Sequence, residues 1–224
     1  LFVQSAESYQ VLKETWGKLL YTGRNNEFYM AAEGAVYRIQ LEDGKSEVLR
    51  SGLSEDDLAV SGDGRYIAWY GQESGEAVTV MDLESGQQWQ KTAAAGERIR
   101  PIGFVESDFV CGVYRQEDVS AAGKLMYKVM IVDQKQQVVK EYEKAGYYMT
   151  DAYVDGATVF LERVWKEGNT LTQVEGDAIK SHEIEAAQNI SVETKSSGKK
   201  QTQVALTMSR KLSAKTPLIL TPKE

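Results

Sequence analysis

Cysteine and histidine are nearly missing from this chain of 224 residues, which has one of each, Cys111 and His182. A single cysteine excludes an intramolecular disulfide framework and a cysteine-rich zinc site. One histidine removes most metal and general-base arrangements, leaving those built on carboxylates. Proline occurs only three times, at Pro101, Pro217 and Pro222, so turns must be made by Gly, Asn, Asp and Ser. The longest apolar runs are about six residues, against the ~20 that a membrane-spanning helix needs. No Gly-x-Ser-x-Gly nucleophile elbow and no phosphate-cradling Gly-rich loop followed by Lys occur, which excludes two common catalytic designs.

What is present is ordinary for a soluble folded chain: 42% hydrophobic and 26% charged residues, with 33 acids against 26 bases. This composition excludes disorder and a long coiled coil. The net charge of −7 is uneven. Residues 1–188 carry 31 acids and 19 bases, whereas residues 189–224 carry two acids and seven bases. An acidic body disfavours nucleic acid, whose binding needs concentrated Lys and Arg. No aromatic residue is interleaved with the bases of the C-terminal segment, so they read as solvent-facing positions of strands.

Internal similarity organises the rest. In Leu58 to Tyr70, Asp63-Gly64 is a hairpin signal between two apolar-rich runs. A polar loop leads to Ala77 to Leu83, a turn at Glu84-Ser85-Gly86-Gln87, and a further run Gln88 to Thr92. Four strands, a to d, thus follow one another. The a–b turn recurs at Asn25-Asn26, Asp63-Gly64, Ser107-Asp108, Asp155-Gly156 and Ser197-Gly198, at spacings of 38, 44, 48 and 42 residues. The c–d turn recurs at Glu42, Glu84, Gln134 and Glu175. Strand b recurs as Phe28–Ala31, Tyr66–Trp69, Phe109–Tyr114, Thr158–Leu161 and Gln203–Leu206. Four strands every ~40–45 residues is the pattern of a β-propeller, whose sheets bury both faces by stacking around an axis.

The run Ser61-Gly62-Asp63-Gly64-Arg65-Tyr66-Ile67-Ala68-Trp69, with Val78-Thr79-Val80-Met81-Asp82-Leu83-Glu84-Ser85-Gly86, resembles the TolB-type, WD-like β-propeller repeat. That repeat has a Ser-Pro-Asp-Gly-Lys/Arg turn, an Ile-Ala-Phe/Trp strand and a Val-Met-Asp-Leu strand closed by a Gly turn. Gly62 stands where the family has Pro. The match is specific over 57–93 and reduces to a strand–turn pattern elsewhere. The resemblance implies a binding scaffold that brings no catalytic residues, and a place in the cell envelope or outside the cell. Leu1 in place of Met fits the removal of an N-terminal piece.

The expected fold is therefore all-β: one propeller domain over 1–224, with blades near 18–50, 57–93, 99–144, 148–186 and 189–221. Residues 8–14 would supply strand d of the last blade and close a five-bladed ring; the alternative is part of a larger propeller. Cys111 reads as a buried small hydrophobe and His182 as a solvated residue of an outer strand. The d–a and b–c connections share one face, and the candidate binding residues there are Trp16, Asp57, Arg98, Arg100, Arg115, Tyr147, Tyr148 and Trp165. Trp, Tyr and Arg dominate interface energetics, although Trp16 and Trp165 equally suit the packing between blades. The segment Arg115 to Met126 reads as the longest inserted loop, a usual carrier of function.

These residues point to a non-catalytic module for a protein or envelope component, with no cofactor, metal or nucleic acid. The competing reading is a five-bladed glycosidase using tunnel carboxylates, for which Asp57, Asp108 and Asp151 are the candidates. A third is a purely structural domain of a larger surface protein.

Overall fold

A computed structural model describes residues 2–4, 9–11, 18–23, 26–54, 57–70, 75–120, 123–181, 190–197 and 201–208. All regular structure among them is β. Strands β1 (Phe2–Gln4) and β2 (Tyr9–Val11) pair with each other antiparallel. The first four-stranded sheet is an antiparallel meander of β3 (Lys18–Thr22), β4 (Glu27–Ala32), β5 (Ala35–Gln40) and β6 (Ser46–Arg50). The second has the same order: β7 (Leu58–Val60), β8 (Tyr66–Tyr70), β9 (Ala77–Asp82) and β10 (Gln88–Thr92). The third holds β11 (Glu97–Val105), β12 (Asp108–Ser120), β13 (Gly123–Val132) and β14 (Val138–Glu143). A fourth set, β15 (Tyr147–Asp155), β16 (Thr158–Glu167) and β17 (Thr170–Lys180), joins the third through Met126 and Met149. The last strands are β18 (Ile190–Ser197) and β19 (Gln201–Met208), an antiparallel pair.

Period-two alternation explains why these sheets stack. On β8, Ile67 and Trp69 face the first sheet and pack with Tyr21, Tyr29 and Val36. Ala68, one step between them, faces the third sheet with Val78, Val80, Phe109, Cys111 and Val113. On β12, Val110 turns the other way and packs with Met149, Val159 and Leu161 of the fourth set. Each central strand is thus apolar on both faces, and each full burial of such a side chain contributes about 1.5–3 kcal/mol. The outermost strands β6, β10 and β14 are mostly exposed and polar. The innermost β11 lies beside β7 and β15, and β18 lies beside β3. Pro101 is tolerated on β11 because that strand pairs only with β12 within its own blade and carries a bulge after the proline.

The repeat motif at 61–85 is held by polar side chains. Ser61 Oγ donates to Asp63 Oδ1 at 2.6 Å and accepts from the Tyr66 amide at 2.9 Å. The Arg65 amide donates to Asp63 Oδ1. The Arg65 guanidinium then bridges to the c–d turn, donating to both oxygens of Asp82 at 2.8 and 2.6 Å. Asp82 also accepts from the Glu84 amide and from Ser85 Oγ. This network ties the a–b hairpin to the c–d hairpin, and Tyr21 OH of the first sheet donates to Glu84.

Two expectations change. Residues 115–126 are not a loop: β12 runs to Ser120 and β13 starts at Gly123, with Val119 opposite Lys124 in a β-ribbon that extends the blade. Strand pairing resumes at Val119 and Ser120 after an irregularity that follows Tyr114, and Leu125 and Met126 are buried. The turn expected at Glu175 is likewise absent, because Glu175 and Gly176 lie within β17 opposite Glu162 as a bulge. Arg163 stabilises this bulge by donating to the carbonyls of Glu175 and Gly176. The strand set aside for ring closure, near 8–14, contributes β2, which pairs with β1. Residues 182–189, with His182, and 209–224 lie outside the described residues.

Cys111 is buried in the core between the second and third sheets, and burial pushes its thiol up to about 12. The neighbouring Gly112 is required by close approach: a Cβ there would stand 2.0 Å from the sulfur of the fully buried Met126. Gly112→Ala is therefore expected to destabilise the fold by about 1–3 kcal/mol through overpacking, read as a lower urea midpoint. An unchanged midpoint would show that Met126 repacks freely. Asp82 supplies a pH-dependent prediction. Burial would raise its carboxyl, but hydrogen bonds from Arg65, the Glu84 amide and Ser85 together hold it below the usual 3.8. Its stabilisation is complete above that unfolded value and is lost as pH falls through the depressed folded value. Asp82→Asn should flatten this part of the acid-unfolding curve, measured by urea titrations between about pH 5 and pH 2. An unaltered pH slope contradicts the assignment.

Candidate functional site

On the face formed by the d–a and b–c connections, the first three sheets enclose a cleft of about 550 Å³. Arg50, the last residue of β6, enters it from the first sheet. Asp57 follows in the connection to β7, its carboxylate held by the Ser54 amide at 2.9 Å and Ser54 Oγ at 2.6 Å. Tyr70 ends β8, and Arg98, Tyr114 and Lys124 come from the third sheet. Stacking, and not sequence proximity, brings these groups together.

Their electrostatics is unusual for an acidic chain. Arg98 donates to the Glu97 carbonyl at 2.8 Å and pairs with Glu76 at 3.2 Å, yet its buried Nε has no acceptor. The Nε of Arg50 is also buried without an acceptor. Lys124 Nζ stands over the rings of Tyr70 and Tyr114, 5.4 and 5.8 Å from their centroids. Burial raises the Tyr114 phenol, partly opposed by Arg98 and Arg100, so Tyr114 is a neutral hydroxyl at physiological pH.

A second polar group lies on the β12–β13 ribbon and β16. Asp118 is buried, with Lys166 Nζ at 2.6 Å and Arg115 Nη1 at 3.7 Å. Arg115 covers the Tyr127 ring at 4.1 Å, and Lys166 covers the Tyr148 ring at 4.9 Å. Tyr147 meets Trp165 edge-on with ring centroids 5.0 Å apart. Gly146, with φ of 79°, lets the Trp165 ring lie against the backbone, where a Cβ would stand 2.4 Å from it.

The candidate residues therefore divide. Asp57 and Arg98 line the cleft. Arg115, Tyr147, Tyr148 and Trp165 belong to the cluster around the ribbon and β16. Arg100 pairs with Asp151 at 2.9 Å between the innermost strands β11 and β15. Trp16 lies outside the described residues. Asp108 starts β12 just after the a–b turn, at the opposite end of the sheets from Asp57. A further cavity of about 610 Å³ opens on that a–b face, and Asp63 and Arg65 on its wall already serve the hairpin network. Among the described residues no group of three or more His, Cys, Asp or Glu could hold a metal ion, and no helix is long and apolar enough to cross a membrane.

Sequence reasoning missed Arg50, Lys124, Asp118 and Lys166. Asp118 and Lys124 lie in a polar stretch without alternation and carried no local signal. Arg50 and Lys166 carried none either.

Lys166→Ala strands Asp118, which is only 4% exposed, with the distant Arg115 alone. The expected cost is about 1–3 kcal/mol, measured by urea unfolding. Adding Asp118→Asn should recover part of it, whereas strictly additive losses would show the two residues to be uncoupled.

No protein-family model and no curated protein matches the chain. Solved structures do match. BamB from Moraxella catarrhalis is 13% identical, covers 65% of this chain and 39% of its own, and has a TM-score of 0.39. The WD40 domain of SCAP from fission yeast is 10% identical, covers 99% and 59%, and has a TM-score of 0.34. An oligogalacturonate lyase in complex with manganese is 13% identical, covers 60% and 36%, and has a TM-score of 0.34. The chain thus spans well under two thirds of these proteins. The four-stranded antiparallel meanders, repeated in chain order, agree with the TolB-like and WD-like β-propeller resemblance.

Proposed function

We propose that this propeller is a non-catalytic binding module that recognises a protein or cell-envelope component through the face of its d–a and b–c connections. One observation carries the reading: three sheets converge there on a cleft lined by Arg50, Arg98 and Lys124 with the rings of Tyr70 and Tyr114. Arg and Tyr in a partly enclosed pocket are the residues that anchor interfaces. The ribbon cluster of Arg115, Tyr148 and Trp165 lies on β12 and on β15–β16, the strands that follow. The non-catalytic part is supported by the positions of the acids. Asp57 is occupied by Ser54, Asp151 by Arg100, and Asp108 stands at the far end of the sheets. A glycosidase needs two carboxylates facing one bond across roughly 5–10 Å.

The test uses the purified chain as crosslinking bait against an envelope fraction of its own cells, with bound species quantified by mass spectrometry. Wild type and Lys135→Ala, a control on the exposed c–d turn, should recover the same species. Arg98→Ala/Lys124→Ala, checked for a native melting curve, should recover them at least about tenfold less, a loss of ~1.4 kcal/mol. Equal recovery by all three proteins rejects the cleft as the binding site. Turnover of an envelope polysaccharide that Asp57→Asn abolishes rejects the non-catalytic reading.

A further inference from the structure

The cleft also indicates what kind of group it takes, an inference that rests on the binding reading above. The chain is acidic overall, at −7, and most of its described cations are already committed. Arg65 faces Asp82, Arg100 faces Asp151, Lys128 faces Glu143, Arg163 faces Asp177 and Lys166 faces Asp118. In the cleft the pattern breaks. Among the described residues neither Arg50 nor Lys124 forms an ion pair with a carboxylate, and Arg50 and Arg98 each bury an Nε–H with no acceptor. The acids at hand among the described residues do not fill the need. Asp57 is turned to Ser54, and Glu76 caps Arg98 from a 65% exposed position at the rim.

We infer that the cleft binds the Asp or Glu side chains of an acidic peptide segment on a protein partner. Guanidinium donors match carboxylate oxygens in pairs, and such charge-assisted bonds are the stronger kind. A carboxylate in the cleft would give the Arg50 and Lys124 cations the charged partner they lack among the described residues. The volume of about 550 Å³ is within the usual range for ligand sites. Gln116, also on the wall, carries a donor and an acceptor and so suits a peptide amide. A nucleic acid backbone is disfavoured because its phosphates call for an extended track of cations, whereas these three surround one pocket. A phosphate dianion is disfavoured by Asp57 in the lining.

A random-peptide display selection against the whole chain tests this, run in parallel on wild type and on Arg50→Gln/Lys124→Gln, with Lys124→Met as a single-site check. The expected result is enrichment of Asp- and Glu-containing peptides by wild type alone. The best of them should bind at least about tenfold more weakly to either variant, and equally more weakly when its acids are replaced by amides. Its affinity should also fall as salt rises. Cleft-dependent peptides that are neutral overturn the acidic specificity and leave the binding reading standing. A selection that yields no cleft-dependent peptide, or yields peptides that bind the variants equally, overturns both. Displacement of the acidic peptide by inorganic phosphate, unmatched by chloride, assigns the pocket to a small anion and overturns the peptide.

Discussion

Burial of both faces of each sheet is the constraint on which the rest depends. A four-stranded sheet whose central strands are apolar on both sides cannot stand in water alone, and stacking between neighbours is how a propeller meets that demand. Ile67 and Trp69 look toward the first blade while Ala68 looks toward the third. A one-residue slip of β8 would exchange these sets and bring an indole where the small Ala68 now fits among Val78, Val80 and Cys111. Register, blade contact and hairpin geometry are thus one problem. The Arg65–Asp82 bridge fixes the two hairpins of a blade relative to each other, and that alignment presents Ile67 and Met81 together to the first blade.

The same stacking leaves most polar groups of the connections at the sheet ends outside the core, and that is where chemistry can accumulate. Arg50 and Asp57 flank one connection, Tyr70 ends a b strand, and Lys124 is carried on a ribbon beyond its blade. Of these side chains only Tyr70 packs against the core. The ribbon matters because it extends the third blade past the connections of the first two. Its long strands also give Asp118 a buried place opposite Lys166. Arg50, Tyr70, Arg98, Tyr114 and Lys124 thus reach the cleft from strands, which place side chains more precisely than loops do.

The parts of this architecture that could be read in the sequence are those set by local chemistry. Asp63-Gly64, the Tyr66–Trp69 strand and the 82–87 turn form as the residues demand, because turn type and alternation act over a few positions. The ribbon and the bulge were misread for a related reason. Glu117 and Asp118 look like loop residues, and Glu-Gly-Asp at 175–177 looks like a turn. In the fold, Asp118 is neutralised by Lys166 from another blade, and the bulge carbonyls are taken up by Arg163 from the neighbouring strand. Tertiary partners reversed the local preference in both places. The cleft lies at the far end of this scale. Arg50, Arg98 and Lys124 belong to two blades, and only the stacking angle between sheets brings them together.

Compensation by neighbours also marks the charges that serve the fold. Arg163 is instructive: it donates to the exposed carbonyls of a bulge, to Tyr142 and to Asp177, so every direction in which its guanidinium points serves the fold. Arg65 is similarly consumed by Asp82. A folded chain gains nothing by holding a cation away from such partners, because a buried donor without an acceptor opposes folding. Arg50 and Arg98 retain such donors, and Lys124 rests on aromatic faces in place of a carboxylate. Within a chain of net charge −7, abundant carboxylates could have neutralised these groups. The neighbouring Asp57 is instead fixed by Ser54, so among the described residues Arg50 and Lys124 keep no carboxylate partner.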